Sequence, residues 1–261
     1  MTIFYLFQNS LLSLSSNMKF DTLLKTFKVQ ARLNKTFWDE NGMLNPTIRL
    51  ALLKVAEYFY DSIKLENKPP IKDVVFTGSL ANYNYSKYSD VDLHLLFDFS
   101  QMEGDREMIE QFFVLAKANW NDQHEVTIKG YPVEVYAEDY QAPHVSTGLF
   151  SVMKNQWIKQ PEQVTPVFDK LDVKTKVNYV NRLYNHFLSL YKKHETEGLD
   201  ASIHKLREKI RQYRQAGLDK GGEFSTENIA FKVMRRVGLL DKLKELQNAV
   251  VDANLTVKEM K

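Results

Sequence analysis

The stretch FTGSLANYNYSKYSDVDLHLLF, Phe76 to Phe97, holds the residues on which the reading of the chain turns. It begins inside an apolar run, Ile71 to Thr77, whose β-branched Ile71, Val74, Val75 and Thr77 predict a partly buried strand. Gly78-Ser79 closes that run. A polar, tyrosine-rich loop follows, and Asp90-Val91-Asp92 then opens a second strand predicted over Val91 to Phe97. In a strand, residues i and i+2 share a face and each residue rises about 3.3 Å, so Asp90 and Asp92 project together. Val91, Leu93 and Leu95 point the other way, into the core. Side-by-side carboxylates on a core strand repel and are costly to desolvate unless a cation neutralises them. The pair therefore predicts a metal, and an all-oxygen ligand set suits Mg²⁺ or Mn²⁺. The competing reading is a strand start at a solvent edge, carrying two hydrated aspartates.

Outward from this segment, helix and strand alternate. Asp105 to Asn121 carries helical spacing, and Glu125 to Ile128 with Tyr131 to Glu138 flank Lys129-Gly130 as a β-hairpin. Upstream, Phe20 to Leu33 looks helical. Leu44-Asn45-Pro46 reads as N′, N-cap and N1 of a helix running to about Asn67, ended by Pro69-Pro70. From Lys174 the pattern is helical throughout: Lys174 to His194, Ala201 to Ala216, Ser225 to Val237 and Leu239 to about Ala253. Gly198, Gly217, Gly221-Gly222 and Gly238 are read as C-caps or turns between them. The expected fold is α+β, a small mixed sheet with flanking helices followed by an all-α helical bundle. The domains expected are 18–165 and 166–261, joined in the proline-bearing stretch Pro161 to Asp172.

Composition narrows the function classes. The 261 residues contain no cysteine, which removes disulfide frameworks, thiolate zinc sites and a cysteine nucleophile, and fits an intracellular, cytoplasmic protein. No window approaches the roughly 18 apolar residues of a membrane span. Residues 1–17 carry no charge, and Ile3 to Phe7 is apolar, but the basic n-region and small-residue cleavage site of a signal peptide are not clear. This stretch is read as a non-native or disordered extension, with Met18 as the functional start. Residues 1–150 carry 14 Lys+Arg and 19 Asp+Glu, whereas residues 151–261 carry 21 and 14. The basic second part points weakly to an anionic partner, nucleic acid or polyphosphate, or is simply a helical surface rich in lysine.

Gly78-Ser79 suits phosphate chemistry, because glycine lets backbone N–H groups approach a phosphate and a serine hydroxyl can donate to a phosphoryl oxygen. An apolar strand, Gly-Ser, about ten residues and then Asp-x-Asp flanked by apolar residues resembles the nucleotidyltransferase superfamily. That superfamily includes DNA polymerase beta, the CCA-adding enzymes and the antibiotic nucleotidyltransferases. The resemblance spans roughly residues 71–138. It implies a third carboxylate on a later strand, best matched by Glu134 in YPVEVYAED, with Glu125 and Glu138 as competitors. It further implies transfer of a nucleoside monophosphate from a nucleoside triphosphate, ATP by default, to an acceptor hydroxyl with release of pyrophosphate. Asp90 and Asp92 would hold the triphosphate's Mg²⁺ or Mn²⁺ and share a second ion with Glu134, which would also assist deprotonation of the acceptor. Ser79 would bind the β- or γ-phosphate beside Gly78, and Lys87 would face the developing pyrophosphate charge. The alternatives are a catalytically silent nucleotide- or RNA-binding module of the same fold, and pyrophosphate transfer as in the alarmone synthetases.

Other residues are read more plainly. His94 shares the face of Asp92 and is taken as orienting it rather than as a catalyst. His124 and His144 have no motif around them. Tyr83, Tyr85 and Tyr88 either stack a base or pin their loop to its own domain, and the second reading is preferred. Arg207, Arg211 and Arg214 fall at i, i+4 and i+7 on one helix, as a phosphate-tracking stripe or a solvated face. The resemblance implies, from family architecture alone, that Lys232 or Arg235 could reach the triphosphate.

Overall fold

In the computed structural model, which describes residues 17–142 and 146–256, the chain divides into two compact units. One is formed by residues 28–165. The other takes residues 166 onward together with the N-terminal segment up to Phe27. Residues 1–16 of the expected extension lie outside the described residues, as does His144.

The sheet unit is α+β, as expected. Its strands are β1 (Ile71–Thr77), β2 (Val91–Phe97), β3 (Thr127–Ile128), β4 (Tyr131–Asp139), β5 (Leu149–Ser151) and β6 (Gln156–Lys159). They form one six-stranded sheet in the order β3-β4-β2-β1-β5-β6. The sheet is mixed: β1 runs antiparallel to β2, and β2 parallel to β4. Parallel neighbours need a crossover, and the helix between them, Arg106–Gln123, supplies it. Its N-cap is Asp105, whose carboxylate accepts from Glu107 N and Met108 N. Ile109, Phe113 and Trp120 face inward and join Val91, Leu93, Leu95, Val133 and Val135 from the strands in one core. The tight β3–β4 turn has Lys129 and Gly130 both at positive φ, the geometry a two-residue hairpin demands.

The helix Pro46–Ser62 begins as predicted. Asn45 Oδ1 accepts from Thr47 N at 3.0 Å, and Pro46 needs no partner at N1. It stops short of the expected Asn67 because Ile63 turns extended and buries its side chain in the core. The Tyr60 carbonyl then accepts from both Ile63 N at 3.2 Å and Lys68 Nζ at 3.1 Å. The hairpin of β5 and β6, with Asn155 at positive φ, was not anticipated. Three buried residues, Leu149 to Ser151, are too few for periodicity to register, and pairing with β1 and β6 defines them.

In the second unit, the helices Lys170–Lys192, Leu199–Gly221, Thr226–Arg236 and Leu239–Leu255 pack around Val177, Ile203, Val233, Leu243 and Leu246. Two expectations need correction here. The helix predicted over Phe20 to Leu33 is only Asn17–Leu24, and Phe20, Leu24 and Phe27, assigned in advance to the sheet domain at 18–165, pack in the helical core instead. Beyond it, Gln30 gives its N–H to Tyr83 O and its side-chain amide to Tyr85 O, bonds that a continued helix would forfeit. Gly217 is not a cap. It lies buried inside Leu199–Gly221, where an added Cβ would stand 2.6 Å from Glu227 Cβ and 2.8 Å from Ser225 Oγ, so its smallness lets the next helix start against it. No helix among the described residues is long and apolar enough to cross a membrane.

Candidate active site

Register alone brings three carboxylates together. In the parallel β2–β4 ladder Asp92 stands opposite Glu134, and Asp90 precedes Asp92 by two residues on the same face. One oxygen from each of Asp90, Asp92 and Glu134 falls within 4.8 Å of the other two, all three residues being half-buried. Oxygens bound to one Mg²⁺ at about 2.1 Å stand about 3–4 Å apart, so small side-chain rotations bring the set to ligand geometry. Three half-buried anions at this spacing, with acceptor oxygens only, match a hard dication. Glu125 is exposed, and Glu138 turns to His94, so neither of these competitors is in the cluster.

The turn after β1 completes one wall. Thr77 pairs with Asp92 across the antiparallel ladder, and its hydroxyl donates to Gly148 O at 2.9 Å. Gly78 follows with φ 75° and ψ −163°, a backbone region essentially reserved for glycine. A side chain there would also collide with Asp92: an added Cβ would overlap Oδ2 and lie 2.7 Å from Cγ. The backbone of the Gly-Ser turn therefore lies directly against the carboxylate. Ser79 opens a short 3₁₀ turn, Ser79–Ala81, whose Leu80 carbonyl accepts from the buried Trp38 indole at 2.7 Å. Ser79 Oγ donates to Ser89 Oγ at 2.7 Å, and Ser89 Oγ also accepts from Ser86 N at 3.0 Å. These bonds fold the tyrosine loop back on itself just before Asp90.

Lys87 is exposed in that loop, with its ammonium 5.0 Å from the centre of the Tyr88 ring. Tyr83 and Tyr85 lend their carbonyls to Gln30, and the Tyr85 ring packs on the core, which favours pinning of the loop over base stacking. Burial, and then the neighbouring Tyr131, raise the Tyr85 phenol above its ordinary pKa.

His94 stacks on Tyr136 with ring centres 4.5 Å apart and planes 13° from parallel, and its Nδ1 lies 3.0 Å from Glu138 Oε2. Both contacts are made to residues of β4. Tyr136 donates to Glu134 Oε2 at 2.6 Å. Its phenol is pushed far above the ordinary range by burial first and then by Glu134, Asp92 and Asp90, so the hydroxyl stays a donor. Lys117, from the crossover helix, places its ammonium 3.5 Å from the centre of the Tyr136 ring. Burial lowers its pKa, against the pull of Glu134, Glu138 and Asp92. One turn on, Asn121 Nδ2 donates to Val135 O and Asn121 Oδ1 accepts from Val135 N, each at 3.0 Å, closing the backbone of β4.

Tyr136, Lys117 and Asn121 were missed in the sequence. The first was within reach, since it lies two residues past Glu134 and so on its face. The helix residues carry no local motif, and only tertiary packing brings them to β4.

In the helical unit the arginine stripe is largely spent internally. Arg207 binds Gln247, Arg211 binds Glu208, and Arg214 Nε donates to the buried Asn228 Oδ1 at 3.2 Å while lying over the Phe231 ring. Lys232 pairs with Glu223 at 2.6 Å.

No family model matches the chain, and no curated protein does. Among solved structures, a Rhodothermus marinus CdnE c-UMP-AMP synthase with Apcpp and Upnpp is similar at 12% identity, with 92% of this chain and 98% of that chain covered and a TM-score of 0.23.

Proposed function

We propose that the chain is a metal-dependent nucleotidyltransferase. The observation that carries this reading is the convergence of Asp90, Asp92 and Glu134 from adjacent parallel strands, against a glycine turn that leaves backbone directly beside Asp92. Mg²⁺ or Mn²⁺ bound there would neutralise phosphate charge and sharpen the acceptor hydroxyl as a nucleophile. Asp90 and Asp92 would hold the triphosphate end of the site, and Glu134 the acceptor end. In the reaction, the acceptor oxygen bonds to the α-phosphorus and the bond from that phosphorus to the bridging oxygen breaks. Glu134 would assist release of the hydroxyl proton to water, and pyrophosphate leaves with the electron pair.

The backbone at Gly78 and the Ser79 hydroxyl would contact the β- or γ-phosphate, for which Ser79 must exchange its bond to Ser89. Lys87, already exposed, would approach the pyrophosphate as charge develops. ATP is the default donor. A nucleic-acid acceptor is favoured by the excess of Lys+Arg over Asp+Glu in residues 151–261, 21 against 14.

The test is incubation of the purified chain with Mg²⁺ or Mn²⁺, each α-labelled nucleoside triphosphate in turn, and total cellular RNA, beside an Asp90→Asn control. Label is followed on RNA, protein and small-molecule fractions. Metal-dependent label that the control lacks supports the reading and names the acceptor class. Triphosphate binding by calorimetry without transfer in any fraction would move the weight to a silent binding module.

A further inference from the structure

We infer that Tyr136 is a positioning residue for the metal centre: its hydroxyl fixes the carboxylate of Glu134 so that the remaining oxygen is presented to the ion. The inference rests on the proposed metal site and goes beyond it in naming what orients the third ligand.

Glu134 is the member of the triad with most freedom, having one more rotatable bond than an aspartate. A short O–H···O⁻ bond, 2.6 Å from Tyr136 Oη to Glu134 Oε2, removes that freedom. A phenol can do this only if its own ring is held. On one contact the ring stacks with His94, whose Nδ1 lies 3.0 Å from Glu138 Oε2. On another, the Lys117 ammonium sits 3.5 Å from the ring centre, an attraction that strengthens where water is excluded. Lys117 and Asn121 are one helical turn apart, so the same face of the crossover helix grips the Tyr136 ring and the Val135 backbone. The stack thus links Glu134 to β2, which carries Asp92, and to the crossover helix, which supplies no ligand.

The experiment uses the full chain, stripped with EDTA and titrated with Mn²⁺ by calorimetry, as wild type, Asp92→Asn, Tyr136→Phe, Glu134→Gln and the double variant Tyr136→Phe/Glu134→Gln. Tyr136→Phe keeps the ring between His94 and Lys117 and removes only the hydroxyl. A supporting partner of a ligand typically contributes about 10–100-fold to metal affinity, and that rise in Kd is expected for Tyr136→Phe with an unchanged metal-free melting curve. In the Glu134→Gln background the same change should add nothing, because its effect travels through Glu134. Transfer activity of Tyr136→Phe should recover at raised Mn²⁺ with the triphosphate KM unaltered, which a general loosening of the fold would not allow. An unchanged Kd, or a loss that is additive with Glu134→Gln, overturns the inference and leaves the metal site standing. If wild type does not bind Mn²⁺, or Asp92→Asn binds it equally well, the metal-site reading falls and takes this inference with it.

Discussion

Replacing Gly78 with alanine separates two costs that meet at one atom. With φ 75° and ψ −163°, an alanine backbone is strained by about 1–3 kcal/mol, which for a chain of this size lowers Tm by about 3–10 °C. The new methyl would also stand 2.7 Å from Asp92 Cγ, so the carboxylate must move away. A displacement of about 1 Å in a reacting group costs about 100-fold in rate. Gly130→Ala is the matched control: φ is 81°, and nothing lies within 4 Å of its added Cβ. It should cost about 1–2 kcal/mol through strain alone. Both variants are melted without metal and then titrated with Mn²⁺. The expected result is that both lose stability and only Gly78→Ala loses metal affinity and transfer. Equal metal affinity in the two variants would refute the claim that the Gly78 backbone and Asp92 compete for one space.

Asp92→Asn should abolish transfer while raising metal-free stability by about 1 kcal/mol, since one of three crowded anions is gone; a thermal melt in EDTA checks the sign. Asn121→Leu should destabilise the chain by about 1–3 kcal/mol, because it strips partners from both Val135 N–H and Val135 C=O, and urea unfolding reads it directly. Arg214→Ala should cost about 1–2 kcal/mol by leaving Asn228 Oδ1 unsatisfied and uncovering Phe231, whereas Arg211→Ala, on an exposed pair, should stay within about 0.5 kcal/mol.

The acidic pair was legible because strand alternation is a local rule: Asp90 and Asp92 on one face, Val91, Leu93 and Leu95 on the other, needs no knowledge of what packs nearby. Glu134 was legible only as the best of three, and the parallel register that seats it opposite Asp92 is a long-range fact. The capped helix starts at Asn45 and Asp105 were readable for the same local reason. What escaped was set by tertiary partners. The helix after Ser62 yields to burial of Ile63, and the one after Leu24 gives way to a chain whose Gln30 bonds to Tyr83 and Tyr85. Gly217 has the composition of a breaker, yet close packing of Ser225 and Glu227 keeps it within a helix. Tyr136 and Lys117 meet through a strand and a helix that no single window spans.

The parallel pairing of β2 and β4 has a kinetic corollary. Antiparallel strands can zip from a short turn, but Asp92 and Glu134 become neighbours only once the intervening helix Arg106–Gln123 has formed and docked through Phe113 and Trp120. Assembly of the carboxylate cluster is therefore coupled to closure of that crossover, and its like-charge repulsion is set against the apolar contacts that the docked helix makes.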